Sequence, residues 1–236
     1  MLNFYELNDV KKLNTPSYNP HFKATQMNIP FRCGLIGASG SGKTNALMNY
    51  IKLTSGTFGE IHICYKTTEP LYELLDKKLK SKNIYFYTDV GKMPEPKDLK
   101  EKEKQKLIIF DDMLADKDQT KIINYFIYGR KQNCSTFILS QSYYGVPKTI
   151  RGQFSYLILV KVSGQRDLNM ILKDTGSLGL EDESLLKKMY NKATSTKMNF
   201  LKIDLNTSDL NKKFSINFTD FFKLNEEDVD NSDSDK

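Results

Sequence analysis

The chain has 236 residues, is 39% hydrophobic and 27% charged, and carries a formal net charge of +6. This suits one α/β domain with a full core, and no apolar run approaches the ~18–20 residues of a membrane span. Three widely spaced cysteines (Cys33, Cys64, Cys134) and two isolated histidines (His21, His62) count against a disulfide framework or a zinc site.

Residues 1–30 hold Pro16, Pro20 and Pro30 with little periodicity, and are expected to form an extension lying on the domain or on a neighbour. The opening Met-Leu-Asn-Phe-Tyr-Glu-Leu-Asn lacks the basic and apolar regions of a secretory signal. A domain is expected over 31–223, followed by an acidic, disordered tail over 224–236.

Arg32 to Gly37 reads as a short buried strand and Asn45 to Lys52 as a helix. Between them Gly37-Ala-Ser-Gly-Ser-Gly-Lys-Thr44 fits a Gly, four residues, then Gly-Lys-Ser/Thr, the phosphate-binding loop. The glycines let successive N–H groups converge on phosphate oxygens, and the following helix adds its positive end. Gly37, Ala38, Ser39, Gly40, Ser41, Gly42, Lys43, Thr44 and Asn45 are therefore the expected ATP cradle. Lys43 would reach the β- and γ-phosphates, and the Thr44 hydroxyl would ligate Mg²⁺.

A second strand is expected over Glu60 to Lys66. A helix over Glu69 to Lys82 follows, with Leu71, Leu74, Leu75 and Leu79 on one face, and then a short strand over Asn83 to Thr88. Lys92 to Lys106 is charged and proline-bearing, suggesting an exposed loop with a short helix. Lys106 to Asp112 is an apolar strand ending in two acids. Burying such a tip is costly without a cation, so Asp111 is expected to hold Mg²⁺ and Asp112 to orient or deprotonate the attacking water.

A helix is expected over Lys117 to Lys131, then strands over Ser135 to Gln141 and Phe154 to Val162. These runs are apolar on both faces, the pattern of a parallel sheet covered by helices. Gln141, at a strand end between the loop strand and the acidic strand, is expected to face the γ-phosphate. Helices over Gln165 to Lys173 and Glu183 to Lys192 precede a closing antiparallel pair, Met198 to Leu205 with Phe214 to Phe218. The fold class is thus a P-loop α/β domain with a mainly parallel sheet and a C-terminal β-hairpin.

Arg32, Arg130, Arg151 and Arg166 stand against 31 lysines. In such a lysine-rich chain a retained arginine marks a need for the planar fork. Arg130 and Arg151 are the candidates to reach a phosphate on an adjacent subunit, the alternatives being a helix-end base and a surface ion pair. Residues 225–236 carry six acids and one base; the rest holds 34 basic and 23 acidic residues, a net +11 suited to a polyanion.

Residues 29–44, 107–113, 128–143 and 146–151, in this order and spacing, resemble the genome-packaging ATPases of poxviruses, giant viruses and virophages, the viral branch of the FtsK/HerA-type motors. The resemblance covers roughly residues 29–175. It implies a homo-oligomeric ring, pentamer or hexamer, that hydrolyses ATP with Mg²⁺ to drive double-stranded DNA into a preformed capsid, in contact with capsid vertex or portal proteins. By position it assigns Lys43 and Thr44 to the loop, Asp111 to the metal, Asp112 to catalysis, Gln141 to the polar strand end and Arg130 to the subunit boundary. Two other readings stay open. A small-molecule kinase would need an acceptor pocket and an arginine-rich lid, which four scattered arginines do not supply; a GTPase is poorly supported because Asn191-Lys192-Ala-Thr lacks the Asp that reads guanine. A nucleotide-gated DNA-binding scaffold would explain Asp112 where many such enzymes carry Glu, and would release no phosphate.

Overall fold

The computed structural model describes residues 19–79, 83–99, 104–115, 118–162, 164–180 and 182–223. Residues 1–18 and the acidic tail lie outside the described residues.

After a four-residue helix α1 (Phe22–Thr25), the elements run β1 (Arg32–Ile36), α2 (Lys43–Leu53), β2 (Glu60–Tyr65), α3 (Pro70–Leu79), β3 (Ile84–Tyr87), β4 (Lys106–Asp111), α4 (Thr120–Tyr128), β5 (Cys134–Ser140), α5 (Lys148–Arg151), β6 (Tyr156–Leu159), α6 (Gln165–Asp174), α7 (Ser184–Thr194), β7 (Leu201–Asp204), α8 (Leu210–Lys213), β8 (Phe214–Ile216) and β9 (Asp220–Phe221). One sheet takes the order β3-β2-β4-β5-β1-β6-β7-β8-β9. Its first six strands are parallel and its last three antiparallel. The α/β expectation, the placement of β5 between β1 and β4, and the closing pair are all observed.

The sheet is buried on both faces because its strands offer no polar side. Alternation divides β4: Leu107 and Ile109 enter one core with α2 and α3, while Ile108 and Phe110 enter the other with α4, α6 and α7. An aromatic knot of Phe31, Tyr50 and Phe137, with ring centroids 5.0–5.5 Å apart, anchors α2 to β1 and β5. Fully burying Phe137 contributes about 2–3 kcal/mol. The loop therefore stands on a rigid base.

One expectation narrows to its first alternative and two change. Residues 19–30 lie on the domain, with Met27 and Ile29 buried in the core beside α2. The segment after β3 is not simply exposed, since Val90, Met93 and Leu99 are buried and Lys121 donates from α4 to the Gly91 and Met93 carbonyls at 2.9 and 2.7 Å. The buried face of α3 centres on Tyr72 and Leu75, while Leu74 is 42% exposed. Leu74 lines a groove of about 620 Å³ with Met48 and Phe58. That groove touches neither Gly37–Thr44 nor Asp111, so it is not the phosphate site.

Candidate nucleotide site

The loop leaves β1 at the carboxyl edge of the parallel strands, where ligands gather in open α/β sheets. Its start is sewn to both neighbours: Gly37 N–H donates to Ser140 O at 3.0 Å and Ala38 N–H to Lys161 O at 2.8 Å. A Cβ on Gly37 would collide with Val160. Gly42 has φ +101°, a conformation that favours glycine, and a Cβ there would lie 2.6 Å from Met198 Sδ, so the Met198 side chain would have to shift for any larger residue. No side chain caps α2, so its first N–H groups remain available to an anion. Lys43 lies along the loop and donates to Gly37 O at 2.9 Å and Ala38 O at 3.1 Å. Burial lowers its pKa, while Asp111, Asp112 and Glu69 pull it back up.

β4 ends two strands away at the same edge, separated from β1 only by β5. Asp111 is 8% exposed, and its Oδ2 accepts the Tyr72 hydroxyl at 2.6 Å. Burial pushes its carboxyl up to about 6; the Tyr72 bond and Lys43 oppose this, and Asp112 and Glu69 add to it. Asp112 follows in the left-handed region at φ +56° with its carboxylate exposed. It accepts Gln141 Nε2 at 3.3 Å. The structure thus brings together Lys43, Asp111, Asp112 and Gln141.

A divalent cation fits this donor set. Asp111 is a hard oxygen ligand that burial leaves short of positive charge, and the Thr44 hydroxyl makes no hydrogen bond to the protein among the described residues.

Arg130 sits at the opposite edge, exposed, near Arg32 at the start of β1, whose pKa is lowered by burial and further by the Arg130 charge. The seven residues of β5 put it on the order of 20 Å from its own loop. It does not reach the phosphate loop of its own chain. Arg151 is held within its own chain: Nε donates to Asp174 at 2.7 Å, Nη1 to Val146 O at 2.7 Å and Tyr144 O at 3.3 Å. This is the ion pair raised above as its alternative role.

Three residues escape sequence reasoning. Tyr72, on α3, belongs to no motif that the sequence marks. Glu69, whose carbonyl accepts the Tyr72 and Glu73 N–H groups at the start of α3, places a third carboxylate within electrostatic range of Lys43 and Asp111. Asp167, buried on α6, accepts Ser142 Oγ at 2.9 Å and Tyr144 N–H at 3.1 Å, and so clamps the loop that carries Gln141. Only the fold joins these positions to the motifs.

A profile of the poxvirus A32 protein matches residues 19–227. The chain belongs to the poxvirus A32 protein family. No curated protein matches it. Among solved structures it is similar to the genome packaging NTPase B204 of Sulfolobus turreted icosahedral virus 2. The AMPPCP complex matches at TM-score 0.59 and 18% identity, over 81% of this chain and 98% of that one. The ATP-gammaS complex matches at TM-score 0.59 and 16% identity, over 83% and 100%. B204 of Sulfolobus turreted icosahedral virus, described as a DNA-packaging ATPase, matches at 0.52 and 16%, over 81% and 98%. The packaging-ATPase resemblance drawn from the four motifs is borne out by the family, and the P-loop α/β class by the fold. Among the described residues, no helix of this family member is long and apolar enough to cross a membrane.

Proposed function

We propose that the protein is an ATPase that drives double-stranded DNA into a viral capsid as an oligomeric ring within the infected cell, with 31–223 as the motor domain. The observation that carries this reading is the convergence of Lys43 with the Asp111–Asp112 tip at the sheet's carboxyl edge, with β5 between their strands. The α2 N-terminus and Lys43 would take the phosphates, and a triphosphate offers Lys43 stronger acceptors than two carbonyls. Thr44 and Asp111 would hold Mg²⁺, which would neutralise the charge that develops on the phosphate oxygens. Asp112 would accept the proton of the attacking water, with Gln141 fixing its carboxylate. Arg130 would act in the neighbouring subunit's site. The +11 body supports a polyanion track.

Phosphate release is to be measured with and without double-stranded DNA, for the wild type and Lys43→Ala. DNA-stimulated turnover that disappears in the variant supports the motor. Nucleotide-responsive DNA binding without phosphate release would instead identify a scaffold, and phosphoryl transfer to nucleoside monophosphates a kinase.

A further inference from the structure

On the flank of the loop away from the acids lies a turn that the proposal above does not use. β7 runs antiparallel to β6 with Leu201 opposite Leu159, so the residues before β7 reach the same edge as the loop. The Thr196–Asn199 turn closes by an Asn199 N–H bond to Thr196 O at 3.1 Å. Asn217 Nδ2 braces it at Asn199 Oδ1, also at 3.1 Å, and Phe200 pins it against Phe218 with ring centroids 5.0 Å apart.

Met198 tops this turn at φ +72°, a conformation that costs a bulky residue free energy and persists where the surroundings enforce it. Its side chain is 39% exposed. Its Cα would lie only 3.8 Å from a Cβ on Gly42, so the turn rests against the last glycine of the loop. A strained, partly exposed thioether is held against the phosphate cradle.

The sheet order decides which part of a nucleotide it meets. β5 and β4 lie on one side of β1, β6 and β7 on the other. With the terminal phosphate drawn to Lys43 and to the cation that Asp111 would hold, a triphosphate laid along the loop would direct its sugar and base toward β6 and β7. We propose that the Thr196–Asn199 turn is the base-side wall of the nucleotide site, with Met198 packing on the face of the purine, as polarisable thioethers do on aromatic rings. This inference rests on the nucleotide reading of the loop.

The test compares ATP with inorganic triphosphate, which has no base, by calorimetry on the full chain with Mg²⁺. Met198→Ala should weaken ATP binding roughly 3- to 10-fold and leave triphosphate binding unchanged. Met198→Gly, which relieves the left-handed strain, should melt no lower than the wild type and show the same selective loss. Equal effects on both ligands, or none on either, overturn the base wall while leaving the phosphate site standing. A wild type that binds neither ligand overturns both readings.

Discussion

The two edges of the sheet both bury titratable groups, but they treat them differently. Toward the amino half of the strands, His62 is stacked on Tyr85 at 4.8 Å, accepts or donates to Tyr87 at 3.1 Å and meets Glu60 at 3.2 Å. Arg32 there donates to Gln153 at 2.6 Å and Phe126 O at 3.3 Å. His62 thus meets partners at both ring nitrogens, whereas Arg32 uses Nη1 and keeps a buried Nε without a hydrogen-bond partner among the described residues. At the carboxyl edge, Asp111, Asp112 and Glu69 crowd around one ammonium group, itself bonded to loop carbonyls. A site is recognised here by a charge deficit that the protein leaves for something else to fill, while a structural cluster closes on itself.

The sharpest break of this contrast is Lys43→Ala, which removes a cation that faces Asp111, Asp112 and Glu69 and should lower ATP turnover about 1000-fold with little change in melting. Asp111→Asn should instead raise the stability of the nucleotide-free protein. A carboxyl held near 6 against an ordinary 3.8 destabilises the fold when ionised, by about 3 kcal/mol at neutral pH. The gain should read as a higher denaturation midpoint alongside lost turnover; a lower midpoint would show the site to be self-satisfied like the other edge. Asp112→Asn should keep ATP affinity and slow hydrolysis about 100-fold, measured by single-turnover phosphate release. Tyr72→Phe should weaken Mg²⁺ dependence about 10-fold, because Oδ2 of Asp111 loses its positioning bond; Mn²⁺ binding followed by electron spin resonance reads this apart from activity.

The smallest effect concerns pH and has opposite signs at the two edges. Burial, against the pull of Glu60, holds the pKa of His62 below its usual 6.5. As pH falls through 6.5 the unfolded chain takes up a proton that the fold refuses, so stability falls. Asp111 takes up its proton in the fold first, near pH 6, so stability rises there as pH falls. Asp111→Asn should therefore unmask a loss of stability between about pH 7 and 5.5, and adding His62→Phe should flatten it, as read by denaturant titration.

Local patterns foretold much of this molecule because local physics fixes them. A glycine-rich loop between a strand and a helix has few other uses. Four apolar residues ending in Asp111-Asp112 mark a strand tip that needs a cation. Apolar runs without alternation mean a sheet covered on both faces. Element ends were less legible: the helix expected from Lys117 begins at Thr120, after Asp118 accepts its N–H at 2.9 Å, and gives way to a 3₁₀ turn at Gly129.

The chain order alone thus marked the loop, the acids and the strand-end glutamine as candidates, since each is a short motif legible in residue type and spacing. Tertiary structure decided the company they keep. Tyr72, Glu69, Asp167 and Met198 stand 39, 42, 26 and 156 positions away from Asp111, Asp111, Gln141 and Gly42 respectively, the residues they serve. They meet only because parallel strands align their carboxyl ends at one edge and β7 returns antiparallel to it. Side chains brought together by strand order leave no spacing in the sequence to read.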